Sequence, residues 1–266
     1  MESAARRGGR PDDRNGHLMD LVAEAGAWLT DPANWSGSGG IPIRLIEHLG
    51  VSLAALVLAV AIALPIGLFV GHPRRGASLA ITVANLGRAL PTLALITLFL
   101  PLTVVIDPQL GFKVYPTLLA LVVLGLPPIL VNTYIGVSGV DPELVEAARG
   151  MGLQERQILR LVEVPVALPV IAGGIRSAAS QIVATATLGA IFGGVGLGRY
   201  LVEGIAQNDN GMIFGGVALV AALSLATEGV FALVQRRLTS PGLAAPARGW
   251  AGRVQPDVAG AGSMGG

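Results

Sequence analysis

The sequence predicts an all-α, polytopic membrane protein, and three observations carry this. Five apolar stretches each reach about the 20 residues that a helix needs to cross a bilayer. Of the 266 residues, 52% are hydrophobic and 13% charged, against roughly 25% charged in soluble domains. The mean hydropathy is +0.67, so lipid is the solvent for most of the chain. The 37 glycines suit membrane helices that pack closely.

Residues 1–44 read as an extracytoplasmic N-terminal segment. MESAARRGGRPDDRNGH is polar and charged, and no apolar core follows promptly, so it is not a secretory signal peptide. Residues 18–29 (LMDLVAEAGAWL) repeat apolar side chains at helical spacing, with Asp20 and Glu24 on another side. This piece is too short to span. It is either an interfacial helix, with Trp28 and Trp35 at the headgroup level, or a short helix packed on the outer face. Residues 45–238 form the membrane domain. Its spans fall near 49–70, 78–105, 114–137, 166–192 and 212–234. Pro91 and Pro101 interrupt the second, and Pro127-Pro128 lie in the third; prolines there kink helices and free carbonyls. Residues 239–266 are rich in Gly, Ala and Pro without periodicity, which predicts a disordered cytoplasmic tail.

Arginine placement orients the bundle. Arg74 and Arg75 lie in one connection, Arg149, Arg156 and Arg160 in the 138–165 loop, and Arg236 and Arg237 after the fifth span. The alternate loops hold only Lys113 and Arg199. The positive-inside rule then puts the 138–165 loop and the C-terminus in the cytoplasm and the N-terminus outside. Arg6, Arg7, Arg10 and Arg14 run against this, diluted by Glu2, Asp12 and Asp13.

The 138–165 loop is the one long charged segment between spans. Asp141 can cap a helix, Pro142 fits its first position and Glu143 favours its dipole. Glu146, Ala147 and Ala148 form a turn of which two members are very small, open to a close approach. Gly152 can end that helix and turn the chain. A second piece, 153–162, follows, and Pro165 marks the start of the next span. The spacing is fixed: Glu-Ala-Ala, three residues, Gly152, nine residues, then Val162-x-Val164-Pro165.

This pattern resembles the EAA loop of permease subunits in ABC importers, with Val162 and Val164 in place of Ile and Leu. From Leu45 to Arg237 the chain resembles the permeases of the osmoprotectant (glycine betaine, choline, carnitine) uptake family. The strings that carry this are Ala84-Asn85 with Leu90–Leu95, Asn132-Thr133-Tyr134, Gly139–Pro142, Glu146–Gly152, Thr185–Ala190 and Gly193–Gly198. Arg88 departs from the uncharged polar residue, such as Gln, expected there. The long tail is not a family feature either.

The resemblance implies a type I ABC importer permease (MetI-like) fold of about five transmembrane helices in a bacterial inner membrane. It implies coupling to an ATPase through Asp141, Glu143, Glu146, Ala147, Ala148, Gly152 and Pro165. It also implies three partners: an ATPase dimer, an extracytoplasmic binding protein with aromatic rings around a trimethylammonium group, and a second permease chain, identical or related. No GxxxxGK[ST] loop occurs in the chain, so ATP and Mg²⁺ belong to the ATPase and no cofactor is expected here. The rival solutes are an amino acid or a sulfonate. The rival classes are a secondary carrier or a membrane scaffold, neither of which needs the Glu146–Gly152 loop.

Other chemistry is thin. With no cysteine there is no disulfide, thiolate site or Cys nucleophile, and no nucleophile–base pair suggests an enzyme. A net charge of +1 makes no case for nucleic acid. His17, His48 and His72 read as separate loop residues with no metal constellation. Arg88, Arg176 and Glu228 fall inside spans, about 15 Å from the cytoplasmic ends. Either Glu228 neutralises Arg176 or Arg88 near a gate, or the helices project and the charges are wet. Asn132, Thr133, Thr185 and Thr187 are polar span residues, suited to interhelical hydrogen bonds or to the pathway. Gly193–Gly198 reads as an external turn or gate loop rather than a nucleotide loop, since no strand precedes it.

Overall fold

The computed structural model describes residues 11–75 and 77–238. The proposed tail, 239–266, and residues 1–10 lie outside this range. Among the described residues every regular element is helical. In order these are α1 (Pro11–Thr30), α2 (Ile41–Gly71), α3 (Ala77–Ala89), α4 (Thr92–Ile106), α5 (Leu110–Lys113), α6 (Tyr115–Ser138), α7 (Pro142–Gly150), α8 (Glu155–Ile158), α9 (Val164–Thr185), α10 (Gly198–Gln207) and α11 (Asn210–Leu238). A π turn (Leu159–Glu163) joins α8 to α9, and a 3-10 turn (Ala186–Phe192) continues α9.

Among the described residues, four helical runs are long and apolar enough to cross a membrane: Ile41–Gly71, Tyr115–Ser138, Glu155–Phe192 and Asn210–Arg237. The expected second span is not one rod. Its halves, α3 and α4, bend by 88°, so there are five spans only if this broken pair counts as one. Pro91 explains the break: it bars helical backbone at Leu90 and lacks an N–H. Pro101, Pro127 and Pro128 lie inside unbroken helices.

α2, α6 and α9 pack into the core of the bundle. Ala55, Ala59 and Ala63 meet Leu121, Ile129, Ala178 and Ile182 there. Small residues let helix backbones approach, which is where membrane helices gain their packing energy. Gly174 shows how closely: a Cβ there would stand 2.7 Å from the Pro128 carbonyl oxygen.

Three expectations need correction. α1 is 20 residues long, and Trp28 is buried against Tyr200, with ring centroids 4.9 Å apart at 72°. α1 is therefore packed on the bundle at Trp28, and of the two tryptophans only Trp35 is exposed. α2 begins at Ile41, so a boundary at residue 44 cuts a helix. His48 is not in a loop; it is buried in α2, its Nε2 2.9 Å from the Val183 carbonyl oxygen.

The bundle has two polar ends. At one, the Gly193–Gly198 turn and α10 fold against the start of α2: Gly196 N–H donates to Glu47, Arg44 pairs with Glu203, and Tyr200 O–H donates to the Gly39 carbonyl. At the other lie residues 71–75 and the whole 138–165 loop, tied together by His72–Glu163 and Arg74–Val140 contacts.

Candidate functional site

The 138–165 loop folds as an elbow. Asp141 accepts the Glu143 N–H at 2.9 Å and Pro142 takes the first turn, so α7 starts at a capped end. α7 stops at Gly150, and Gly152 turns the chain with φ +86°, a conformation a Cβ disfavours. Gln154 and Gln157 form a reciprocal capping box that opens α8. The second arm is not separate from the span that follows it, although Pro165 does sit in the first turn of α9 as expected. α8 runs through the π turn into α9, and Val164 N–H bonds to the Leu159 carbonyl. The wider turn makes room for Pro165, which has no N–H to give.

Only part of the Glu-Ala-Ala turn faces outward. Glu146 and Ala147 are exposed, whereas Ala148 is 2% exposed and packs with Val140, Val145 and Ile158. The elbow's inner face is thus a small hydrophobic core of its own. Its outer face presents Glu143, Leu144, Glu146, Ala147 and Met151. Arg149 bridges the arms, 2.6 Å from Glu146 and 2.9 Å from Glu155. Their carboxylates, Glu155 first, push its guanidinium pKa above the ordinary value.

Sequence reasoning missed the residues that fasten this elbow. His72 Nδ1 lies 2.6 Å from Glu163 Oε2, and its Nε2 3.2 Å from Glu155. Glu163 is 1% exposed. Arg74 donates to the Val140 carbonyl at 2.6 Å. Nothing in the local pattern marks Glu163 as buried, since it stands in a charged stretch.

A second polar cluster lies between α6, α9 and α11. Arg176 Nε donates to Glu228 at 2.7 Å, Ser180 O–H donates to the other carboxylate oxygen at 2.5 Å, and Arg176 Nη1 donates to Gln235 at 3.0 Å. Gln235 in turn donates to the Pro169 carbonyl. Asn132 lines the same cleft and donates to the Pro128 carbonyl at 2.7 Å. Of the two partners expected for Glu228, Arg176 takes the role. Arg88 lies in α3, and its side chain is outside the described set. Thr185 and Thr187 are not brought to this cleft. They sit where α9 tightens into its 3-10 turn, Thr185 about 14 Å along the helix from Arg176, and Thr187 donates to the Ala184 carbonyl.

Long apolar helices, a protruding charged elbow at one end and a paired polar cleft between spans define a multi-pass membrane transport subunit. Residues 63–240 match the family described as binding-protein-dependent transport system inner membrane component, and the chain belongs to that family. It is 35% identical over 208 residues to the choline transport system permease protein OpuBB of Bacillus subtilis (strain 168), covering 78% of this chain and 93% of that one. It is 36% identical, with the same coverage, to the glycine betaine/carnitine/choline transport system permease protein OpuCB of the same organism. The inward-facing MetNI methionine ABC transporter shares the fold at a TM-score of 0.65 and 22% identity, over 75% of this chain and 96% of that one. The chain is thus an inner-membrane, multi-pass ABC importer permease.

Proposed function

We propose that this chain carries a quaternary-amine osmolyte, of the glycine betaine or choline type, inward as the membrane subunit of an ATP-driven importer. The elbow is the observation that carries the coupling part. Glu146 and Ala147 stand on a short, capped helix whose arms connect directly to α6 and α9. A rigid helix pair of this kind can sit in a groove of an ATPase and pass its closure to the spans. Asp141 and Glu143 start the helix, Gly152 sets the bend, Ala148 anchors it inward, and Pro165 follows the π turn. In this reading the elbow end and the C-terminus face the cytoplasm and the N-terminus lies outside. An extracytoplasmic binding protein delivers the solute, and a second permease chain completes the path.

The solute class rests on the printed functions of the relatives. The cleft around Asn132, Arg176 and Glu228 supports a pathway role. Charges on helices of this apolarity need water or a partner rather than lipid, and Arg176 and Glu228 are 37% and 40% exposed at the side chain. Mutual pairing leaves no net charge to repel a cationic headgroup. Arg88 belongs to the same proposed layer; Thr185 and Thr187 would act nearer the opposite end.

Because the chain has no cysteine, Ala147→Cys provides a unique handle. It should crosslink to the ATPase subunit in membranes that take up radiolabelled choline or glycine betaine on ATP addition. An active assembly that never crosslinks there would exclude the elbow as the contact. Uptake that survives inactivation of the ATPase would exclude ATP-driven import.

A further inference from the structure

The short connection between α2 and α3 grips the elbow on both sides. Arg74 donates to the carbonyl of Val140, the residue before the Asp141 cap. His72 reaches Glu163, the last residue of the π turn, and Glu155, at the start of α8. Three features indicate that these contacts are built rather than incidental. Glu163 is almost completely buried, and a carboxylate is held there only if it is paired. Arg74 has φ 57°, a backbone that side chains other than Gly and Asn rarely adopt. His72 sets one ring nitrogen against each carboxylate, Nδ1 against Glu163 and Nε2 against Glu155, an arrangement that needs two separated nitrogens on one rigid ring.

The place of the grip matters. The π turn closes its bond over five residues, from the Val164 N–H to the Leu159 carbonyl, and Pro165 removes the next N–H. With that backbone bond missing, bending there would dissipate a push from α7 before it reached α9. His72 holds that very turn to the end of α2. We propose that His72 and Arg74 are positioning residues forming a two-point clamp, through which displacement of the elbow reaches α2 as well as α6 and α9. The three core helices then move from one end together. This rests on the coupling reading of the elbow.

The test uses the full chain assembled with its ATPase and binding protein in proteoliposomes. The readout is radiolabelled glycine betaine imported per ATP hydrolysed. In the His72→Cys/Glu163→Cys variant this ratio should fall about fivefold or more while hydrolysis continues. Bridging the two thiols with a short bis-methanethiosulfonate reagent should restore it, and reductant should abolish it again. Arg74→Ala should lower the ratio about twofold to threefold, and Arg74→Lys, which keeps a donor, should lower it less. A merely structural role would change the amount of assembled complex, not the ratio or its response to bridging. The clamp is overturned by a wild-type ratio in the unbridged variant, or by a low ratio that bridging leaves low. If the cysteine pair does not assemble, wild-type ratios in both Arg74 variants overturn it. A wild-type assembly with no ATP-dependent uptake overturns instead the coupling reading on which the clamp stands.

Discussion

The elbow and the cleft between α9 and α11 use the same groups in different surroundings. In the elbow, Arg149, Glu146 and Glu155 are 44%, 70% and 55% exposed at the side chain, on a segment where water can replace any of them. In the cleft, Arg176 and Glu228 stand on helices apolar enough to span a membrane. Exposed ion pairs contribute little because water and salt compete with both partners. A charge left alone among spans has water only as far as its cleft admits it, and otherwise meets lipid. The elbow therefore takes its shape from caps, a glycine bend and a small apolar core, with ion pairs as trim. The cleft takes its neutrality from the pair itself.

That contrast can be broken at three points, in descending order of effect. Gly152→Val should be the most damaging, because a β-branched residue at φ +86° meets the left-handed penalty of about 1–2 kcal/mol at the bend that sets the angle of the elbow. The variant should reach the membrane in normal amount, by immunoblot, yet import almost nothing; normal uptake would show that the bend is irrelevant to transport. Arg176→Glu should come next, lowering uptake about tenfold by setting two carboxylates together. Adding Glu228→Arg should recover a good part of it, and a double variant no better than the singles would refute pairing as the role of these residues. Arg149→Ala should be the mildest, changing uptake by no more than about twofold, and less still at high ionic strength. A loss as large as that of Arg176→Glu would erase the distinction between the two regions.

Much of the elbow was legible in the sequence because its signals are local. Asp141-Pro142-Glu143 states a helix start, Gly152 a helix stop, and the structure has both. Pro165 was legible as the start of the next span, but the π turn that joins α8 to it without a break was not, since a proline reads as a gap unless a widened turn precedes it. The inward side of Ala148 depends on Ile158 returning from α8 to cover it. Arg176–Glu228 was one of two pairings that the rarity of charges in spans suggested, beside the alternative that the charges are simply wet. Gln235 and Ser180, which complete that network, carry no such mark.

By itself, the sequence determined the helical class, the position of most spans, the charged loop between the third and fourth, and the spacing within it. These follow from composition and from contacts a few residues apart, where the backbone imposes the geometry. The tertiary structure decided that the second span is broken, that Trp28 is covered, and that His72 and Arg74 reach across to Glu163 and Val140. Those contacts join residues 66 and 91 positions apart. No periodicity encodes which distant side chain will stand opposite a given one; that is settled only when the core helices pack and bring their ends together.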